Sequence, residues 1–167
     1  MSTATVGTSP GPSVGIGQIA VSGAAEIVIS ALGLGSCIGV VLFDPQARVA
    51  GMAHVMLPQS NPNSSGPPGK FADSAVPALL HDMLKAGAEK ARLVAKIAGG
   101  AQMFGAGSGG LLNIGERNDQ AVRAALSAVG LRVRAADTGG SAGRTVQVTV
   151  GTGVVTVRVV GGEPVEL

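Results

Sequence analysis

Two apolar runs separated by a tight turn constrain this fold more than any other feature of the chain. The first run, Ile38 to Phe43, is fully apolar and has the length of a strand, and Asp44-Pro45 ends it. The second run, Val49 to Val55, follows at once, so the pair predicts a β-hairpin. Cys37 stands at the start of the first run and His54 at the end of the second, so this pairing brings them to the same end of neighbouring strands.

Cys37 is the only cysteine in the chain, and the segment Leu32–Cys37 brings two glycines and a serine up to it. Glycines let a backbone approach a substrate closely, and they leave consecutive N–H groups free to face a developing oxyanion. A lone cysteine with a histidine elsewhere is typical of cysteine-nucleophile enzymes. We therefore predict that Cys37 is a nucleophile, that His54 takes its proton, and that the N–H groups near Ser36 and Cys37 stabilise the oxyanion. The alternative is a free cysteine that only fills the core.

Composition excludes several classes of function. Aromatic residues make up 2% of the chain and the net charge is +2, which disfavours nucleic-acid binding. One cysteine and two histidines do not suffice for an ordinary structural zinc site, and we expect neither a metal nor a cofactor. The single cysteine also excludes an internal disulfide, and no secretory signal or membrane-spanning run is evident. These features predict a cytoplasmic protein.

The pattern along the chain predicts one α+β domain over residues 14–167, preceded by a disordered tail over residues 1–13. We expect about eight strands and two main helices. The predicted strands are Val14 to Val21, Ala25 to Ile29, Ile38 to Phe43, Val49 to Val55, Leu93 to Ala98, Leu131 to Ala136, Thr145 to Val150 and Val154 to Val160. The predicted helices run from a cap at Asp73 or Ser74 to Lys85, and from Asn118 to Val129.

Three further features of the sequence each have an ordinary structural explanation. Gln59 to Lys70 is rich in proline, serine and asparagine, which predicts a mobile loop leaving the strand of His54. His81 is expected to be a surface histidine on the first helix. Phe104 stands beside a glycine-rich loop, where it fits a partner anchor and a core residue equally well.

Several stretches together resemble CheD, the chemoreceptor glutamine deamidase family of bacterial and archaeal chemotaxis. They occur in the family's order and span about residues 14 to 161, and each is weak alone but specific in combination. The matching stretches are Leu32–Cys37, Ala53–Pro58, Lys70–Asp73, Lys96–Ala101, Asn113–Asn118 and Asp137–Gly140.

The resemblance implies a fold, a reaction and partners. It implies stacked β-sheets flanked by helices, similar to the catalytic domain of cytotoxic necrotising factor toxins. It implies hydrolysis of glutamine side-chain amides on methyl-accepting chemotaxis receptors, giving glutamate and ammonia through a thioester on Cys37, with His54 as base and then acid. Contact with the membrane would come only through those receptors. A CheC-type phosphatase is a further implied partner, and Phe104 matches the family's partner-binding region.

One position departs from the family pattern. The family typically has a threonine six residues before the cysteine that orients the histidine, and Ala31 stands there in this chain. Ser30 is adjacent but points to the opposite face of a regular strand. A backbone carbonyl or a water could orient His54 instead. The departure predicts a slower enzyme than a threonine-bearing relative, which an Ala31→Thr variant would test.

Two other functions stay open at this level. A CheD-like binding partner of a CheC-type phosphatase or receptor, with weak or no catalysis, would explain Ala31, although it would have no need of Cys37 and His54 together. A cysteine hydrolase acting on another amide or on receptor methyl esters would use the same thioester route. An activated Cys37 is expected to react quickly with thiol reagents near neutral pH, and to lose that rate in a His54→Ala variant.

Overall fold

The computed structural model describes residues 7–102 and 113–167. Ten strands and two α-helices form in this part of the chain, so the predicted α+β class is confirmed. The helices are α1 (Ala72–Lys85) and α2 (Ile114–Ala128). The strands are β1 (Ser9–Ser13), β2 (Ile19–Ser22), β3 (Ile27–Leu34), β4 (Ile38–Asp44), β5 (Val49–Val55), β6 (Val94–Gly99), β7 (Val133–Thr138), β8 (Arg144–Thr149), β9 (Val155–Val159) and β10 (Val165–Glu166).

The strands form two five-stranded sheets, in the orders β1-β3-β8-β9-β10 and β2-β5-β4-β6-β7. The predicted hairpin of β4 and β5 is confirmed, and it lies at the centre of the second sheet with Ile38 opposite Val55 and Gly39 opposite His54. Every residue of β5 is buried, as is all of β4 except the partly buried Phe43. Continuous apolar runs suit these strands because both of their faces are covered.

Each face of the second sheet contributes to a separate apolar cluster. On one face, Ile38, Val40 and Leu42 pack with the buried sides of α1 and α2. On the other face, Val41 and Met52 join a cluster whose remaining members come largely from the first sheet. The stacked sheets with helices on the outer side agree with the architecture that the family resemblance implies, and the likeness to a toxin domain stays a prediction.

Several predicted element boundaries need correction. β3 continues to Leu34, five residues past the predicted end of its strand at Ile29, with a register irregularity between Ala31 and Leu34. The predicted strand from Val14 to Val21 is confined to β2, and β7 begins two residues later than predicted. α2 begins four residues before the predicted start at Asn118.

The start of α1 also differs from its prediction. Phe71 takes the N-cap position, and neither Asp73 nor Ser74 caps the helix. Asp73 instead accepts hydrogen bonds from the N–H and the hydroxyl of Ser60, which fastens the connecting segment to the helix. Because the helix starts at Ala72, Pro77 lies past its first turn, where it leaves the carbonyl of Asp73 without the usual helical donor.

The expected disordered tail extends to residue 13, whereas the structure has a strand at Ser9–Ser13. β1 runs parallel to β3, with Ser9 opposite Ile27 and Ser13 opposite Ser30. The N–H of Val14 then donates to the carbonyl of Ser30 over 2.6 Å. Edge pairing of this kind tolerates the prolines of β1, because a proline on an edge strand need not supply a ladder donor. Residues 9–14 are therefore fixed to the first sheet.

A buried carboxylate fixes the turn of the central hairpin. Asp44 is fully buried, and it accepts hydrogen bonds from the N–H groups of Gln46, Ala47 and Glu89 at 2.8 to 3.1 Å. Arg92 completes the set, with Nε 3.0 Å and Nη2 3.0 Å from the two carboxylate oxygens. Burial alone would raise the pKa of Asp44, but these hydrogen bonds outweigh it and hold the pKa well below its usual range.

Neither helix of the described residues combines the length and the apolar character that crossing a membrane requires.

Candidate active site

Cys37 and His54 lie on the same face of the second sheet. Gly39 is opposite His54, and a Cβ on Gly39 would meet Val146 of the first sheet, so this face points into the space between the sheets. Cys37 precedes Gly39 by two residues and belongs to the cluster on that same face. The two side chains are therefore diagonal neighbours, a relation that corresponds to about 7–8 Å between positions on adjacent strands.

A backbone carbonyl orients the His54 ring. His54 is 4% exposed, and its Nδ1 lies 2.9 Å from the carbonyl oxygen of Val14. A carbonyl only accepts, so Nδ1 carries the proton and Nε2 of the neutral ring keeps its lone pair. Val14 is itself fixed through its N–H to Ser30 of β3. The contact spans 40 residues of sequence, and Val14 was absent from the predicted site.

Neither Ala31 nor Ser30 makes a hydrogen bond to the His54 ring. Ala31 is fully buried in the cluster between the sheets, where its methyl group packs and makes no hydrogen bond. The hydroxyl of Ser30 accepts from Gln147 of β8 over 3.2 Å. The carbonyl of Val14 is the group that His54 Nδ1 contacts in the described part of the chain.

The environment of Cys37 favours a neutral thiol. The residue is 9% exposed, and burial raises the pKa of its thiol. The direction of this shift is opposite to the one that rapid reaction near neutral pH requires. A base that removes the proton during attack fits this setting better than a preformed thiolate.

We expect the alkylation of Cys37 by iodoacetamide to be slow at pH 7. The rate should rise with pH past the ordinary thiol range around pH 8.5, because the thiolate is the reactive form and burial disfavours it. The chain has one cysteine, so the mass of the intact protein reports the reaction directly. A rate that is already at its plateau below pH 7 would contradict this expectation and indicate a thiolate–imidazolium pair.

The carbonyls and the N–H groups of the backbone around Cys37 differ in their hydrogen bonding within the described residues. The carbonyl of Gly35 accepts from Ala101 and that of Cys37 accepts from Gly100, each over 2.8 Å. Within residues 7–102 and 113–167, no hydrogen-bond acceptor contacts the N–H of Ser36 or of Cys37. Two successive free N–H groups beside a thiol can bind an anionic oxygen.

Gly99 at the end of β6 permits this arrangement. Its φ of 117° lies in the region that favours glycine, and a Cβ there would overlap the carbonyl oxygen of Cys37. The turn after β7 supports it, since the N–H of Gly139 donates to the carbonyl of Gly99 over 3.0 Å. Buried Arg144 fixes that turn through the carbonyls of Asp137 and Gly139.

We expect a Gly99→Ala variant to lose most of any activity that depends on Cys37, because the added methyl group must displace the Cys37 carbonyl. Gly87 is the matched control, with a φ of 105° and open space where a Cβ would lie. Gly87→Ala carries similar backbone strain, about 1–3 kcal/mol, without the overlap. Both variants should lose stability in urea unfolding, and only Gly99→Ala should lose activity. Equal activity in the two would contradict the importance of this contact.

The structure brings most of the predicted site residues to one place. Ser36, Cys37 and His54 lie together at one end of the central strands, and Phe104 falls outside the described residues. His81 is exposed on α1, as expected. Sequence reasoning missed Val14 and Gly99, and it left Asn118 as an unassigned member of a motif. Two successive glycines after an apolar run were the only available signal for Gly99.

Comparison with known proteins gives consistent matches. Residues 56–159 match the family described as CheD chemotactic sensory transduction. The Chemoreceptor glutamine deamidase CheD of Thermotoga maritima is 46% identical over 149 residues, 89% of this chain and 92% of the relative. The Probable chemoreceptor glutamine deamidase CheD of Symbiobacterium thermophilum is 46% identical over 151 residues, with the same coverage of both chains. The protein of that name from Pyrococcus abyssi is 45% identical over 92% of this chain and 94% of the relative.

Proposed function

The chain belongs to the CheD family, and on this basis we propose that it is a chemoreceptor glutamine deamidase with Cys37 as its nucleophile. The observation that carries the chemistry is the hydrogen bond from His54 Nδ1 to the carbonyl of Val14, because it leaves Nε2 as a base on the face that Cys37 shares. The relatives named above supply the substrate class. Action on the cytoplasmic part of receptors agrees with the predicted location.

The proposed reaction begins with attack of Cys37 Sγ on the side-chain carbonyl carbon of a receptor glutamine. The thiol proton passes to His54 Nε2 as the sulfur–carbon bond forms, and the carbonyl electron pair moves to oxygen. The N–H groups of Ser36 and Cys37 bind that oxyanion. The carbon–nitrogen bond then breaks, and the proton on His54 leaves with ammonia.

Water completes the cycle. His54, neutral again, takes a proton from a water molecule that attacks the thioester, and a second oxyanion forms in the same place. Its collapse breaks the sulfur–carbon bond, the proton returns from His54 to sulfur, and the glutamine has become glutamate. Two proton transfers in each half-reaction pass through one nitrogen, which explains the need to fix the ring through the other.

The alternative function, a CheD-like binding partner with weak or no catalysis, was suggested by Ala31. A main-chain carbonyl bonded to His54 supplies the orientation that a threonine would give, so the alanine carries little weight against catalysis. A CheC-type partner stays a prediction, because Phe104 lies outside the described residues. Action on receptor methyl esters would follow the same route with an alcohol leaving in place of ammonia, and the test below separates the two.

Mass spectrometry of a cognate receptor cytoplasmic fragment tests the proposal. We expect conversion of discrete glutamines to glutamates, each adding about one mass unit, and none with Cys37→Ala as the matched control. A fragment carrying glutamyl methyl esters, treated in the same way, measures esterase action separately. A fragment that binds the protein but remains unchanged would overturn the deamidase proposal.

A further inference from the structure

We propose that Asn118 is a positioning residue whose buried amide fixes the peptide group between Ser36 and Cys37, so that the Cys37 N–H faces the oxyanion. The inference rests on the proposed function, since it assigns a role within the same site. Asn118 lies in α2, 82 residues from Ser36 in sequence, and its contacts serve no helix cap.

The amide of Asn118 bridges the two halves of the site. Its Nδ2 donates to the carbonyl of Ser36 over 2.9 Å and to the carbonyl of Met56 over 2.8 Å. Ser36 directly precedes the nucleophile, and Met56 follows His54 by two residues. Both partners are carbonyl oxygens, so only the NH₂ end of the amide fits there and its orientation is fixed by chemistry.

The bond to Ser36 determines where the next N–H points. A peptide group is planar and trans, so the carbonyl of Ser36 and the N–H of Cys37 point in opposite directions. Holding the carbonyl toward α2 therefore directs the Cys37 N–H away from α2. That N–H is one of the two with no acceptor among the described residues.

The side chain is costly to keep in this place. Asn118 is fully buried, and no donor in the described parts of the chain reaches its Oδ1. Leaving a buried acceptor without a donor destabilises the folded protein. An apolar side chain of similar size would avoid this cost, so the two bonds made by Nδ2 are what the residue contributes.

Close packing at the start of α2 brings Asn118 within reach. A Cβ on Gly115 would overlap the carbonyls of Gly100 and Ala101, so glycine lets the first turn of α2 approach the loop after β6. The same loop donates to the carbonyls of Gly35 and Cys37. Asn118 binds the carbonyl between those two, and three successive carbonyls around the nucleophile are thereby held.

Two variants test the role of the amide. Asn118→Ala removes both hydrogen bonds that Nδ2 donates to the carbonyls of Ser36 and Met56. Asn118→Asp keeps the shape of the side chain but places a carboxylate oxygen against these two carbonyls. Gln120→Glu is the matched control, because it makes the same amide-to-acid change at an exposed position of the same helix. Circular dichroism and thermal melting establish which variants fold, and Asn118→Ala serves alone if the aspartate variant does not.

Three measurements distinguish a positioning role of Asn118 from a general loss of structure in the variants. With the receptor fragment we expect kcat to fall about 10²–10³-fold, the effect of losing one oxyanion donor, while KM changes little. Alkylation of Cys37 by iodoacetamide at pH 9 should keep its rate, because that reaction forms no oxyanion. Gln120→Glu should match the wild type in all three measurements.

The third measurement is the affinity for butanal, whose chain matches the side chain of glutamine. Cys37 Sγ adds to the aldehyde carbon, the carbonyl pair moves to oxygen, and the thiol proton passes to His54 Nε2. We expect Asn118→Ala to weaken this adduct by at least tenfold. A parallel loss of kcat and alkylation rate, or an unchanged butanal affinity, would overturn the inference. A wild type that binds butanal but deamidates no receptor would overturn the proposed function alone.

Discussion

His54→Gln is expected to lower kcat for receptor deamidation by about 10²–10⁴-fold, the usual contribution of a general acid–base group. Glutamine can still donate to the carbonyl of Val14, but it offers no nitrogen lone pair to accept the Cys37 proton. Both the attack on the amide and the hydrolysis of the thioester then proceed without a base. Timed mass spectrometry of the receptor fragment measures the loss, and binding of the fragment should be retained.

His81→Gln is the matched control for this prediction, because His81 is the only other histidine and is exposed on α1. Its activity should equal that of the wild type. If His54→Gln kept full activity, His54 would have no part in proton transfer and another base would have to serve Cys37. Equal losses in the two variants would point to a general effect of removing a histidine.

Asp44→Asn is expected to destabilise the protein by about 1–3 kcal/mol at pH 7, the cost of leaving a buried hydrogen-bonding group unsatisfied. The substitution keeps the size of the side chain but removes the buried partner of Arg92, which is then paired only with the exposed carboxylate of Glu89. It also replaces one acceptor oxygen by an NH₂ group facing backbone donors. Urea unfolding compared with the wild type measures the difference.

The same contribution should depend on pH in a definite direction. The pKa of Asp44 in the folded state lies below its value in the unfolded chain, about 3.9. The stabilisation is therefore complete above about pH 5, and it is lost as the pH falls through 4 and below. Wild type should lose stability over this range more steeply than Asp44→Asn.

Asp82→Asn supplies the control, because it makes the same acid-to-amide change at an exposed position of α1 and should leave the stability at pH 7 close to that of the wild type. A constant difference between wild type and Asp44→Asn from pH 7 to pH 3 would contradict the assigned pKa. The result bears on the site as well, because Asp44 fixes the far end of the hairpin that carries Cys37 and His54.

Patterns that lie within one stretch of chain were predicted from sequence. The hairpin of β4 and β5 followed from two apolar runs and a turn, and its register brings Cys37 and His54 to one end. The predicted strands Thr145 to Val150 and Val154 to Val160 are also neighbours in sequence, and they correspond to the antiparallel pair of β8 and β9. Local signals sufficed because these strands pair with their sequence neighbours.

Contacts between distant segments were not predicted. β1 pairs with β3 in parallel, and its proline-rich sequence carries no strand signal. The bond of His54 to Val14 joins a ring to a main-chain oxygen, which no side-chain pattern indicates. Asn118 resembles any polar helix residue until α2 is placed against the loop of the nucleophile. These parts of the site depend on tertiary packing and on atoms that every residue shares.

The bond between His54 and Val14 has a consequence for mutational scanning. Any amino acid at position 14 presents the same carbonyl oxygen, so a saturation library would score the position only for its buried side chain. The contact therefore depends on the path of the backbone and not on which amino acid stands at position 14. A truncation that removes the first thirteen residues would remove β1, whose pairing with β3 helps to hold Val14 in place. The truncation would weaken the contact with His54 without changing Cys37 or His54.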